Sequence, residues 1–255
     1  MHAPRELAQA AAGILSRIRA RRPRIHCITN AVAQNFTANM LLAAGAVPSM
    51  TIAPDEVADF VAQADALLVN LGTMDAERRE AIAIALRAAG DRIPWILDPV
   101  FVDRSAPRAA FAAKLVAQRP RAIRLNRAEF LALAGAEPDP AALTRFARGH
   151  ATVVGLTGDR DIVVDEKRSA SIANGDPLMA KVTAMGCAAS ALVSACLAVE
   201  PDAWQATAAG LILIGIAGET AAGDAKGPGT FAAGILDALF RLDEAAVVAR
   251  AKVSR

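Results

Sequence analysis

Apolar residues recur with two different periods along this chain, and the alternation between them predicts the architecture. Residues 5–20 carry Leu7, Ala11, Ile14, Leu15 and Ile18 at helical spacing. A short apolar run, 25–28, follows and is closed by Thr29-Asn30. A helix is expected over 34–44 with Gly45 as its stop, a strand over 47–52, and a helix from Pro54 to about residue 64. Short runs at 66–69, 95–97, 122–125 and 152–156 then read as strands. They alternate with helical segments at 75–89, 107–117, 127–134 and 140–149. Such alternation predicts a mostly parallel sheet with helices on both faces. After Gly158 the pattern changes to a β-ribbon, 161–164 and 169–172, and then to helices over 188–199, 204–222 and 230–242. No internal repeat or linker interrupts the 255 residues, so a single domain over 1–255 is expected.

Composition narrows the function classes. Hydrophobic residues make up 54% and charged residues 21%, which leaves ample core. The formal charge is +2 with no concentrated basic face, so nucleic-acid binding is not expected. The one basic cluster, residues 17–24, falls at the end of the first helix, where cations suit the dipole. Cys27, Cys187 and Cys196 fit neither a disulfide framework nor a zinc site, and a reducing cytosol is the default. The chain's start carries no signal-peptide h-region, and the most apolar run, 206–218, reads as too short and glycine-punctuated to span a bilayer. A cytoplasmic protein without membrane contact is expected.

Ligands of open parallel sheets bind outside the carboxyl ends of the strands. Here those ends are polar: Asn30, Asn70, Asp98, Asn126 and Thr157. Each alone is also a good helix N-cap. Residues 181–187 form a small-residue turn into an apolar helix, a ready anion site carrying the thiol of Cys187. A thiol there is expected to ionise below the free value of about 8.5; the alternative is a packed, inert cysteine. Asp98 and Glu129 suit magnesium held through waters. Arg124 suits a phosphate or a salt bridge. The glycine loop 226–231, with Thr230 as N-cap, is weak evidence for a nucleotide, and no Walker loop exists. His2, His26 and His150 have no metal spacing, and His26 reads as a structural hydrogen-bonder.

Several strings together are specific. They are Ile25-His26-Cys27-Ile28-Thr29-Asn30, Asn35-Phe36-Thr37-Ala38-Asn39, Asn70-Leu71-Gly72-Thr73, Ile96-Leu97-Asp98-Pro99-Val100, Ile123-Arg124-Leu125-Asn126, Leu156-Thr157-Gly158, Lys181-Val182-Thr183 with Gly186-Cys187, and Lys226-Gly227-Pro228-Gly229. Through them the chain resembles the hydroxyethylthiazole kinases of thiamine biosynthesis, within the ribokinase-like superfamily. The resemblance implies a ribokinase-like α/β fold with a helical C-terminal part. It implies ATP-dependent phosphorylation of the primary alcohol of 4-methyl-5-(2-hydroxyethyl)thiazole, Mg2+, and a homotrimer with active sites between subunits. It places Met50, Ala184 and Asn30 at the substrate, Arg124 and Thr157 at ATP, and Asp98 and Glu129 at the metal. Cys187 would be catalytic, and the amides of Met185, Gly186 and Cys187 would form the anion hole. The chain departs from the family where Ala184 and Phe101 replace glycines, where Leu125 follows Arg124 in place of glycine, and where Met185 adds bulk. Two other readings follow from those departures: a kinase for a pyrimidine or pyridoxal-like alcohol, or a catalytically impaired ligand-binding homologue.

Overall fold

The computed structural model describes residues 4–254; His2 lies outside them. One nine-stranded sheet runs in the order β2-β1-β3-β4-β5-β6-β7-β8-β9. Its strands are β1 (Arg24–Ile28), β2 (Val47–Ser49), β3 (Ala66–Asn70), β4 (Trp95–Asp98), β5 (Ala122–Asn126), β6 (Val153–Thr157), β7 (Asp161–Val164), β8 (Ser169–Ile172) and β9 (Val253–Ser254). The pairs from β2 through to β6 are parallel, and the β7–β8 ribbon and β9 add antiparallel.

Strand side chains alternate between two cores, as the two-residue period requires. Leu68, Ile96 and Ala122 face one side, and Leu67, Val69, Leu97 and Ile123 the other. The second side is covered by α3 (Val57–Ala62), α4 (Ala76–Ala89), α5 (Ala106–Val116), α6 (Arg127–Ala134) and α7 (Pro140–His150). The first is covered by α1 (Pro4–Arg21), α2 (Gln34–Ala44), α8 (Met185–Leu197), α9 (Ala203–Asp224), α10 (Pro228–Arg241) and α11 (Glu244–Arg250).

Helix α9 runs through the middle of that first layer, packed by α1, α8 and α10. Each buried Leu or Ile on it contributes roughly 1.5–3 kcal/mol. The apolar run expected at 206–218 is part of a longer element: α9 has 22 residues, enough by length to cross a bilayer. Yet 78% of its most apolar window is buried inside the fold, as a core helix requires.

Other boundaries moved for local reasons. Strand β2 ends at Ser49, and α3 begins only at Val57. Thr230 is not the cap of α10; Gly227 is, and Thr230 Oγ1 accepts the Lys226 N–H from within the first turn. The last helix, α11, and the edge strand β9 had no strong periodic signal. Arg19 and Arg21 lie in the last turn of α1, where cations suit the dipole, and two arginines also reach other helices: Arg17 Nε donates to Val199 O after α8, and Arg19 Nη2 to Leu239 O and Phe240 O of α10. His26 is the structural hydrogen-bonder expected of it, buried between Ser49 Oγ at 2.8 Å and Thr51 O at 3.1 Å.

Candidate active site

The strand order places the polar strand ends in a row. Chain connections run from β1 outward to β2 and then back across to β3, so the crevice opens beside β1 and β3. Asn30 follows β1, Asn70 ends β3, Asp98 ends β4 opposite it, and Asn126 and Thr157 end β5 and β6 opposite each other. The row is wired. Asn30 Nδ2 donates to Asn70 Oδ1 at 3.1 Å, and Asn70 Nδ2 donates to Asp98 Oδ2 at 2.8 Å. Gly72 makes room for this: a Cβ there would lie 2.7 Å from Asn30 Nδ2.

Helix α8 aims its N-terminus at the row. Its cap is Ala184, which has no side chain to accept an amide proton. Met185 N reaches Val182 O at 3.4 Å, whereas the Gly186 and Cys187 amides have no main-chain acceptor among the described residues. Those two N–H groups are the free donors at this helix start. Cys187 is the third residue of the helix, half-buried, with Asn30 Nδ2 donating to its sulfur at 3.3 Å. Its acidity differs from expectation. Burial pushes the thiol up to about 11, and the Asp98 charge adds to this; Asn70, Asn30 and Arg124 offset only part. Desolvation outweighs the helix terminus.

Asp98 is buried and receives Ser190 Oγ at 2.8 Å from the next turn of α8. Burial lifts its carboxyl to about 6 against the pull of Arg124. Ser190 had no motif to mark it; its only signal is a polar residue on an otherwise apolar helix. Arg124 Nη1 lies 4.0 Å from Asp98 Oδ1, and Nη2 donates to Thr157 Oγ1 at 3.1 Å. The guanidinium lies over Gly186, where a Cβ would be 3.0 Å from Nη1. Its Nε is buried without a partner, an orphan donor awaiting an acceptor. Beside it opens a cavity of about 610 Å³ lined by Arg124, Thr157, Asp161, Asn174, Met179 and Gly186. A larger cavity, about 800 Å³, lies at the opposite strand ends around Pro94 and Trp95, away from this chemistry.

A family model, the Hydroxyethylthiazole kinase family, matches residues 15–245. The chain belongs to the hydroxyethylthiazole kinase family. It is 44% identical over 247 residues to the probable hydroxyethylthiazole kinase of Agrobacterium fabrum, covering 96% of this chain and 95% of that protein. The solved structure of the hydroxyethylthiazole kinase protein from Pyrococcus horikoshii OT3 superposes with a TM-score of 0.92 at 35% identity, covering 96% and 98% of the two chains. A ribokinase-like superfamily protein from Enterococcus faecalis V583 gives a TM-score of 0.68 at 13% identity over 89% of each chain, which supports the ribokinase-like fold.

Two residues that stand where the resemblance leads one to expect glycine matter for the backbone. Ala184 sits at φ 67° and ψ 0°, and Phe101 at φ 58° and ψ 30°, both left-handed. An L side chain there costs on the order of 1 kcal/mol. We expect Ala184→Gly to stabilise the fold by about 0.5 kcal/mol, the strain relief less the extra chain entropy of glycine. Ala184→Val should lose roughly 1–3 kcal/mol, because a β-branched residue is poorly accommodated at positive φ. Urea unfolding of the three proteins checks both; a destabilised glycine variant would contradict the strain.

Glu129 stands differently from a free metal ligand. One carboxylate oxygen accepts Phe101 N and the other Asn126 N, the second bond closing a capping box at α6. Asp98 Oδ2 is likewise taken by Asn70 and Ser190. These bonds occupy both oxygens of Glu129 and one of Asp98, and Asp98 Oδ1 lies 4.0 Å from Arg124 Nη1. Met50 packs, partly buried, against the core on the α8 side. The 226–229 glycine loop is open, with nothing within 4 Å of where a Cβ would be at Gly227 or Gly229.

Proposed function

We propose that this protein transfers the γ-phosphoryl group of ATP to the primary alcohol of 4-methyl-5-(2-hydroxyethyl)thiazole. The observation that carries the reading is the convergence at the start of α8: two acceptor-free amides, the Cys187 sulfur and the Arg124 guanidinium over Gly186. The 610 Å³ cavity beside Arg124 and Thr157 takes the nucleotide, with the orphan Nε of Arg124 finding its acceptor on a phosphate. Met50 and Ala184 border the thiazole. Asp98 and Glu129 would hold a magnesium ion through its waters, and the ion would supply charge neutralisation at the phosphates.

The alcohol oxygen forms a bond to the γ-phosphorus as the bond to the ADP oxygen breaks. The hydroxyl proton passes to Cys187 where the sulfur is ionised. Burial pushes the thiol up to about 11, so the sulfur is mostly protonated at pH 7. Positioning and the charge-gathering amides therefore carry most of the rate.

ADP formation with Mg-ATP, with and without the thiazole alcohol, tests the reading beside Cys187→Ala. Thiazole-dependent turnover is expected, and Cys187→Ala should retain measurable activity, reduced about 10²-fold or less. Complete loss with thiazole binding intact would overturn the minor role of the thiol. Turnover only with a pyrimidine or pyridoxal-like alcohol would keep the kinase and change its substrate, a reading that Phe101 and Ala184 favour. Thiazole binding without turnover would make the protein an impaired homologue.

A homotrimer with sites between subunits is proposed with the same reading. Val32, Leu42, Val47 and Phe60 are exposed around the β2 edge, beside the segment carrying Met50. The three free cysteines suit a reducing cytosol.

A further inference from the structure

The amide of Asn30 has one orientation available to it. Its Oδ1 accepts Ala33 N at 3.0 Å, so its NH2 group faces Asn70 Oδ1 at 3.1 Å and the Cys187 sulfur at 3.3 Å. Both amide hydrogens are thus engaged, and the oxygen is engaged too. Asn70 is fixed in the same sense: its Oδ1 also accepts Gly72 N at 3.0 Å, and its NH2 donates to Asp98 Oδ2 and also acts on the Cys187 sulfur beside Asn30. Every donor in the chain is an amide N–H, and none of these nitrogens accepts a proton. The chain from Cys187 to Asp98 therefore holds geometry and carries no proton.

We propose that Asn30 is a positioning residue for Cys187: it donates a hydrogen bond to the sulfur, turns the remaining sulfur lone pairs and the thiol proton toward the open mouth at the start of α8, and makes no polar contact to substrate. This rests on the alcohol-kinase reading, and it replaces the substrate-binding role expected of Asn30 from the resemblance. The proton taken from the alcohol leaves Cys187 for solvent rather than for Asp98, since the amides between them cannot pass it on.

A double-mutant cycle separates this from direct substrate binding. The proteins are wild type, Asn30→Ala, Cys187→Ala and the double variant, each assayed for kcat and for KM of the thiazole alcohol. Asn30→Ala should lower kcat about 10-fold with the alcohol KM within about 2-fold, and the double variant should be no slower than Cys187→Ala. A raised KM, or losses that multiply in the double variant, would overturn the proposal. Should Asn30→Ala fold poorly, Asn30→Ser retains an acceptor for the Ala33 amide but is too short to reach the sulfur, and the same cycle applies.

Thiol alkylation gives a readout independent of turnover. Cys27 and Cys196 are fully buried, so iodoacetamide reports on Cys187. Losing the donor should move the pH midpoint of alkylation upward in Asn30→Ser; an unmoved midpoint would overturn the proposal. If no alcohol is phosphorylated by the wild type, the kinase reading fails on its own, and alkylation still decides whether Asn30 acts on the sulfur.

Discussion

Replacing Arg124 with alanine should lower kcat/KM for ATP by about 10³-fold, the scale of a guanidinium that stabilises a transferring phosphoryl group. Three features of the side chain lead to this. It bridges Thr157 and Asp98, it covers Gly186 at the anion hole, and its buried Nε has no protein acceptor. Arg124→Lys should recover little, because an ammonium on a flexible stem cannot reproduce the planar fork. The fold should lose roughly 1–3 kcal/mol as Asp98, 1% exposed, is left with less compensation. Removing the orphan Nε returns part of that. Steady-state kinetics with urea unfolding test the pair. An unchanged KM for ATP and a rate within tenfold of wild type would remove Arg124 from the nucleotide site.

Gly72→Ala should be nearly as damaging, and its effect should arrive through Asn30. The added methyl would sit 2.7 Å from both Cβ and Nδ2 of Asn30 and 2.9 Å from Cγ. Asn30 is short and tied at both ends of its amide, so the clash is relieved by moving it off Cys187. A cost of about 1–3 kcal/mol from overpacking is expected, with a kcat loss at least as large as that of Asn30→Ala. Gly229→Ala is the control: nothing lies within 4 Å of that position, inside α10, and alanine there should be neutral or slightly stabilising. Equal behaviour of the two variants would show that close approach at Gly72 is not what holds Asn30.

The alternating core was readable because period-two strands and period-3.6 helices leave different marks, and the strands β1, β3, β4, β5 and β6 end in, or run straight into, a polar residue. The row Asn30, Asn70, Asp98 and Thr157 could be identified as a rim from those ends alone. Its wiring could not, since hydrogen bonds between strands forty residues apart have no local signal. The acidity of Cys187 was misjudged for a related reason. A helix start is visible in a sequence, but the burial that desolvates the thiol, and the Asp98 carboxyl that β4 brings near it, are not. Glu129 is legible another way: Asn126-Arg127-Ala128-Glu129 has the spacing of a capping box, and that bond occupies one of its carboxylate oxygens. Strand β9 is two residues long, and pairing with β8 makes it a strand where its own pattern does not.

The central helix α9 also has a consequence for synthesis. Its contacts include α1, and α1 ends at Arg21 while α9 begins at Ala203. At translation rates of 5–20 residues per second, α1 leaves the ribosome about 10–40 s before α9 exists to cover it. During that interval the face formed by Leu7, Ala11, Ile14, Leu15 and Ile18, buried to within 2% in the finished fold, has no native partner from α9. The nascent chain therefore carries a sticky amphipathic segment throughout the interval between α1 and α9. Its yield in the cell should depend on chaperone capacity more steeply than its finished stability suggests.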